Sequence, residues 1–306
     1  MAYSDKLLLA QIEPGADFTA PVPATHAVRT RNLRVRPVVA GQLDRQLDSA
    51  TGGRGPSVPT EVHRRVTFET ELAGAGSAGG TPADSVILRG TGHSVGVVAL
   101  TSCTHEALSE ATEALAMIGY HDGQRFELGK AVGTSRFVFE ANALPYAEHE
   151  FLGLYRAIAD EAVPTNANFT AWRDPLKIDQ ARTTFTWGGV SLPLSSFELT
   201  MARPLVFRDI PGSRRARALD RVPTFRMTVD KPTIAQANLF QQIADGSVVL
   251  ATIVHGTAAG DIVELQAYCQ AEGEPDIGDD NTITTVTLSG RVVKVGQPFD
   301  YRLIRR

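Results

Sequence analysis

The sequence holds few cysteines and no long apolar run. Cys103 and Cys269 are the only two cysteines among 306 residues. This is too few for a disulfide framework and typical of a reducing compartment, so we expect both to be buried small hydrophobic residues. No stretch approaches the ~20 apolar residues of a membrane-spanning helix, and the first ten residues carry too short an apolar run for a signal peptide. We therefore predict a chain that folds in a cytoplasm and contacts no membrane.

A surplus of positive charge is also missing. The formal net charge of -4 argues against a protein that grips phosphates over its whole surface. Hydrophobic residues make up 43% and charged residues 21% of the chain, which is typical of a folded protein and not of a disordered one. The length is sufficient for two domains, each with its own core.

One pattern of residues occurs twice. In the first copy an alternating run at 32–39 leads into a long loop at 41–61 rich in glycine and serine, and the chain returns along 62–72. In the second copy 197–206 leads into a basic loop at 208–222, and the chain returns along 223–229. Both copies read as strand, proline, apolar pair, long loop and returning strand. A repeat of more than a hundred residues indicates two versions of one domain.

The rest of the chain is predicted to be mainly β. Period-2 alternation between turn residues indicates strands through both halves, including 113–121, although the run 105–118 has helical propensity. The clearest helix is predicted at 233–245, after Pro232 and before Gly246, and 83–88 could form one or two helical turns.

Three segments divide the chain. Residues 1–30 contain several prolines and few apolar positions, which predicts an extended N-terminal arm. The polar segment 164–168 is the best candidate for a linker. We therefore predict an arm at 1–30, a first domain at 31–168 and a second domain at 169–306, each domain a small β-sandwich or half-barrel.

Two motifs resemble enzyme signatures. Residues 74–79 fit G-x-G-x-x-G, but Pro82 follows where a dinucleotide site needs a helix, so we predict a flexible small-residue loop. Residues 92–96 fit G-x-S-x-G around Ser94, with His255 as a possible base, but a β-branched strand follows where a hydrolase needs a helix. A serine hydrolase using Ser94 remains an alternative.

No motif predicts a metal or a cofactor. Cys103 and His105 could supply two zinc ligands, but zinc needs three or four and no second pair lies nearby. The seven histidines are scattered along the chain. We predict no catalytic residues and no cofactor.

The second long loop and its flanks carry seven arginines, opposed only by Asp209 and Asp220. Nucleic-acid binding would favour interleaved aromatic residues, and Phe207 is the only one between the two strands. Arginine is common at protein interfaces because its planar fork pairs with carboxylates. We therefore favour docking to an acidic surface of another subunit, with DNA binding and a merely solvated loop as alternatives. The arginines are Arg203, Arg208, Arg214, Arg215, Arg217, Arg221 and Arg226.

The order of these features resembles the tail tube (major tail) proteins of long-tailed bacteriophages, in the larger form with two tube domains. The resemblance lies in Val-Thr-Phe-Glu-Thr-Glu-Leu-Ala-Gly at 66–74 and in the glycine-rich pieces that follow it in order, and it covers nearly the whole chain after residue 30. Those pieces are 79–83, 88–92, 122–123, 129–134, 151–155 and 256–261.

The resemblance implies a structural virion protein and no enzyme. Each tube domain would be a β-sandwich with an outer helix or helical turn, and one sheet would join its neighbours around a lumen. Three chains would form a ring with pseudo-sixfold symmetry, and rings would stack through the loops 41–61 and 208–222. The arginines expected there are Arg45, Arg54, Arg208, Arg214, Arg215, Arg217 and Arg221.

The resemblance also implies partners and a location. The subunit would contact itself, a tape-measure or ruler protein, a tail terminator and a distal tail protein, and would be assembled in the host bacterial cytoplasm into the virion tail. Phage DNA would pass through the lumen without tight binding, since each neutralised phosphate adds affinity. We expect the arm 1–30 and both long loops to be mobile in the free subunit and ordered in the tube. A related tube-like tail or secretion component that forms one ring and does not stack is the nearest alternative.

Overall fold

The structure is a computed structural model that describes residues 5–15, 17–45, 55–110, 113–294 and 296–306. Its described residues are mainly β with large antiparallel sheets, as the sequence predicts. The first half holds β1 Lys6–Ile12, α1 Pro23–His26, β2 Ala27–Val28, β3 Arg31–Leu43, β4 Val58–Glu71, α2 Ser85–Gly90, β5 Gly96–Val98, β6 Ser102–Glu106, β7 Leu115–His121, β8 Gln124–Glu140 and β9 Tyr146–Asp160. The second half holds β10 Thr183–Trp187, β11 Val190–Ser191, β12 Leu194–Thr200, β13 Leu205–Ile210, β14 Ser213–Ala218, β15 Thr224–Asp230, α3 Leu239–Ala244, β16 Val248–His255, β17 Val263–Asp280, β18 Ile283–Val292 and β19 Tyr301–Arg305.

The same order of strand pairing occurs in both halves. In the first half the hydrogen-bonded neighbours run β2-β1-β7-β8-β9-β4-β3. In the second half they run β11-β10-β16-β17-β18-β15-β12. Each of these seven strands therefore has a counterpart at the same place in the other half, and α2 and α3 precede the counterparts β7 and β16.

One strand pair joins the two halves. The last residues of β8, 136–140, pair antiparallel with 196–200 of β12. An eight-stranded sheet therefore runs without a break in the order β3-β4-β9-β8-β12-β15-β18-β17. We call it the continuous sheet.

Alternation along the regular parts of these strands, between several irregularities in the pairing, gives the continuous sheet one apolar and one polar face. The apolar face carries aromatic residues from both halves, among them Phe137, Phe139, Phe197 and Phe225, which lie in one cluster with Trp187. A second cluster around Leu8, Val66, Phe68 and Phe151 fills the first half. At about 25 cal/mol per Å², this burial is the main favourable term for the fold.

The predicted strand pairs around both long loops are confirmed. Strands β3 and β4 pair with each other, and so do β12 and β15. The prediction of a strand at 113–121 is also confirmed, by β7. Residues 115–120 are all buried, so tertiary burial overrides the helical propensity of this segment.

Three predictions need correction. The helix predicted at 233–245 is only α3, because Asn238 caps it by accepting a hydrogen bond from the amide of Gln241. The basic loop 208–222 is largely the hairpin β13–β14. Within the predicted arm, β1 is interior: Leu7, Leu8 and Leu9 are buried, and the strand pairs with β7 along its whole length.

Candidate assembly surfaces

The junction between β8 and β12 shows how two sheet edges of this chain fit together. On the apolar face Phe137 lies opposite Leu199 and Phe139 opposite Phe197, and all four are buried. On the polar face the Arg136 guanidinium pairs with Glu198 at 2.7 Å and with Glu148 at 3.0 Å. The hydrogen bond with Glu198 is the largest cause that raises the pKa of Arg136. The junction therefore combines an apolar seam with an ion pair.

The continuous sheet ends in two edges that have no neighbour among the described strands. At one end β3 pairs only with β4. At the other end the segment 276–280 of β17 pairs only with β18, because β16 pairs with β17 no further than Gln270. An edge of this kind presents unpaired backbone N–H and C=O groups to another chain.

The two edges carry opposite charge. On β3, Arg34 and Arg36 are exposed and form no ion pair with a described residue. The far half of β17, residues 272–280, carries four exposed carboxylates without an ion-pair partner in the described part of the chain. These are Glu274, Asp276, Asp279 and Asp280. Sequence reasoning missed both edges, although Arg-Val-Arg at 34–36 and the acidic run 272–280 were visible signals.

The polar face of the continuous sheet is built from short hydroxyl residues and neutralised arginines. Arg65 pairs with Glu150 at 2.5 Å, and Arg291 pairs with Glu272 at 3.0 Å. A groove of about 420 Å³ crosses the face beside Thr67, Thr134 and Thr200. Arg65, Arg136 and Arg291 are therefore paired with carboxylates. Arg34, Arg36 and Arg226 lie exposed on the same face without an ion pair to a described residue.

The hairpin β13–β14 lies across the first half of the chain. Phe207 and Ala216 form a buried cluster with Val132 and Leu152, and the Phe207 ring stacks on His63 with a centroid distance of 4.9 Å. Arg214 donates a hydrogen bond from Nη2 to the carbonyl of Val62 at 2.6 Å. The hairpin is thus held against β4, β8 and β9 and is no free loop in this subunit.

Most of the arginines predicted to stack rings are exposed at the surface of the subunit. Arg208, Arg214, Arg215 and Arg217 are exposed on the hairpin, and Arg45 is exposed after the end of β3. Arg208 lies directly opposite Arg215. Because like charges at opposite positions repel, this pair favours an acidic partner. Arg54 lies outside the described residues.

Arg221 corrects the expectation of an exposed stacking residue. Its guanidinium is buried and pairs with Asp300, with Nη2 and Oδ2 at 2.5 Å. The same group donates to the carbonyls of Ala107 and Leu108. Arg221 therefore fixes the base of the hairpin to the rest of the chain, because a buried charge is tolerated only when it is paired and hydrogen-bonded.

Ser94 and His255 are not hydrogen-bonded to each other. Ser94 Oγ donates to the carbonyl of Glu106 and accepts from its amide, both at 3.3 Å. The His255 ring nitrogens are engaged by Thr183 Oγ1 at 2.8 Å and by the carbonyl of Leu176 at 3.0 Å. A helix precedes Ser94 and a strand follows it, which is the reverse of a nucleophile elbow.

The glycine-rich segment 74–80 touches the turn between β16 and β17. The Gly76 amide donates to the carbonyl of Gly260 at 2.9 Å. A Cβ on Gly74 would lie 2.1 Å from the Gly260 carbonyl oxygen. Helix α2 begins only at Ser85, so no helix opens on the last glycine as a dinucleotide site requires. The glycines permit two backbones to approach closely.

Cys103 and His105 are both buried on β6. Burial raises the pKa of the Cys103 thiol, and His105 Nε2 is hydrogen-bonded to Ser85 Oγ at 2.8 Å. In the described ranges, no group of three or more His, Cys, Asp or Glu residues could hold a metal ion. Over the same ranges, no helix has the length and apolar character needed to cross a membrane.

No protein-family model and no curated protein sequence matches this chain.

Proposed function

We propose that this chain is the tail tube subunit of a long-tailed bacteriophage, a structural protein that assembles into stacked rings around a DNA-conducting channel. The observation that carries the proposal is the continuous sheet. It has a buried apolar face, a polar face on which several arginines are paired with carboxylates, and two open edges of opposite charge.

The recurring pairing order supports two tandem tube domains. Each would comprise one of the two matching strand sets, with β1 and β2 included in the first and the boundary in the irregular segment 161–182. A chain with two equivalent units can close a ring of three subunits with pseudo-sixfold symmetry. Closure of a sheet into a ring removes its open edges.

The polar face suits the wall of a channel for DNA. Each arginine that neutralises a phosphate increases affinity for DNA and its dependence on salt. On this face Arg65, Arg136 and Arg291 are already paired with carboxylates, and hydroxyl residues fill many of the remaining positions. These paired arginines would therefore hold DNA only weakly. Arg226 is exposed on the same face without an ion pair to a described residue, and Arg34 and Arg36 lie at the open edge.

Stacking of rings is assigned to the exposed arginines of the hairpin, Arg208, Arg214, Arg215 and Arg217, together with Arg45 and Arg54. Head-to-tail contacts do not close and generate a filament. A carboxylate surface on the next ring would relieve the repulsion between Arg208 and Arg215. The tape-measure, terminator and distal tail proteins are the proposed partners at the lumen and at the two ends of the tube, in the virion tail assembled in the host cytoplasm.

Negative-stain electron microscopy of the purified protein across a concentration series tests the proposal. We expect hollow tubes or stacked rings at high concentration. The variant Arg208→Glu/Arg215→Glu should give single rings. Lys177→Glu/Lys294→Glu, an equal charge change on exposed residues elsewhere, should give tubes. Rings that never stack would favour a single-ring tail component, and particles that stay monomeric would refute the proposal.

A further inference from the structure

We propose that β3 of one subunit pairs with the far half of β17 of a second copy of this chain, and that this junction closes the ring. The inference depends on the self-assembly in the proposed function, but not on stacking or on DNA passage.

The internal junction supplies the precedent. Because the pairing order recurs, β12 is the counterpart of β3, and β8 is the counterpart of β17. Within the chain, β12 pairs with the end of β8 over five residues. The equivalent contact between β3 and β17 does not occur among the described residues, since both edges are open. Within one chain, the second half packs against the first half through β12 and β8. If a second copy packed against the first copy in the same way, the open edges of β3 and β17 would meet.

Proline bounds both open segments. Proline lacks the backbone N–H that a strand ladder needs. Pro37 therefore ends the regular part of the β3 edge, which begins at Arg34 after an irregularity in the pairing between Arg31 and Arg34, and Pro275 precedes 276–280 on β17. The internal junction spans five residues.

The two faces of the segments match. Asp276 lies opposite Thr287 on the polar face, the face on which β3 carries Arg34, opposite Thr67. Ile277 lies opposite the buried Val286 and is itself 52% exposed. On β3, Val35 on the apolar face is only partly buried. The junction would therefore repeat the apolar seam and the ion pair of the β8–β12 contact.

The geometry is heterologous, because a basic edge on one copy meets an acidic edge on the next. Such a contact leaves one edge of each kind free at the ends of an open chain, and it closes when the rotation per subunit divides a full turn. A symmetric dimer through either edge alone would place like charges together and is disfavoured.

The test is a charge swap between the two edges. One variant carries Arg34→Glu/Arg36→Glu, a second carries Asp276→Lys/Asp280→Lys, and a third carries all four substitutions. Lys177→Glu/Lys294→Glu is the matched control on exposed residues of other segments that form no ion pair with a described residue. All the replaced side chains are exposed, so the urea unfolding midpoint should not change, and each variant is checked for this before assembly is measured.

Sedimentation velocity at matched concentrations gives the readout. Each single-edge variant should need a concentration roughly tenfold higher or more than the control for half-assembly, and the four-site variant should recover assembly. Single-edge variants that assemble like the control, or a four-site variant no better than they are, would overturn the β3–β17 junction even if tubes form. Edge-dependent rings without tubes would leave the junction intact and refute the tail tube. A wild-type chain that stays monomeric would refute both.

Discussion

At the scale of single residues, the structure buries several charged groups that the sequence presents as ordinary surface residues. Arg221, Arg305 and Arg64 are nearly inaccessible to solvent. Arg305 pairs with Asp84 at 2.8 Å, and Arg64 donates to three backbone carbonyls, of Pro37, Glu127 and Arg156. These contacts join segments that are far apart in sequence, so the groups act in folding and not as a surface for a partner.

Loss of one member of a buried ion pair should be costly. In Asp300→Ala the buried Arg221 guanidinium loses its carboxylate, and we expect the free energy of unfolding to fall by about 3 kcal/mol. In the exposed pair Arg29–Asp174, Asp174→Ala should cost less than about 1 kcal/mol. Urea unfolding measures both. Arg221→Met/Asp300→Ala should recover part of the loss, and equal costs for Asp300→Ala and Asp174→Ala would contradict the buried role.

Three buried histidines predict sensitivity to acid. Burial lowers the pKa of His93 to about 3, of His105 to about 2 and of His149 to about 3. Because these pKa values are below the ordinary value of 6.5, the unfolded chain binds protons that the folded chain does not. Stability is therefore intact above pH 6.5 and is lost as the pH falls below it, by about 1.4 kcal/mol per pH unit for each histidine.

The variant His149→Gln isolates one of these contributions. His149 is hydrogen-bonded to Thr70 and Ser135, both at 2.9 Å, and glutamine can replace both contacts without titrating. Urea unfolding at pH 8, 6 and 5 should show a smaller loss between pH 6 and 5 in the variant than in the wild type, by roughly 1 kcal/mol. Identical slopes would mean that His149 is not buried in its neutral form.

At the scale of elements, alternation predicted strands well where one face is buried and the other is polar, as in β3, β4 and β15. It failed for β1, because the prolines after Gln11 suggested an arm and the partner strand β7 is more than a hundred residues away. It failed for the hairpin β13–β14, whose arginines gave no apolar alternation although Phe207 and Ala216 face a buried cluster. The open edges depend on pairing partners, which no local pattern specifies.

The contact between 74–80 and the turn at 256–260 should depend on glycine. A methyl group in Gly74→Ala would meet the Gly260 carbonyl, and we expect a loss of about 2 kcal/mol in the free energy of unfolding. Gly96→Ala is the control, because the nearest atom to its Cβ would be 3.9 Å away, and it should be neutral or slightly stabilising. A neutral Gly74→Ala, measured by urea unfolding, would show that this backbone approach is looser than described.

At the scale of the whole molecule, the two matching strand sets differ in what their edges contact. The edge of the second set, β12, is already covered by β8, while the edge of the first set, β3, is open. One chain therefore contains one complete junction and the two halves of another. Pairing of the open β3 edge with the open β17 edge of another copy would complete this second junction.

Hydrogen exchange on the soluble subunit and on assembled tubes should separate built-in from assembly-dependent structure. Strand β1 lies between β2 and β7, so its amides should be protected in both states, contrary to the mobile arm that the sequence suggests. Alternate amides of 34–36 and 276–280 point away from their single neighbouring strands and should exchange quickly in the free subunit. In tubes both segments should gain protection together, because one ladder would cover them. Protection of only one segment, or equal exchange in both states, would mean that these edges meet something other than each other.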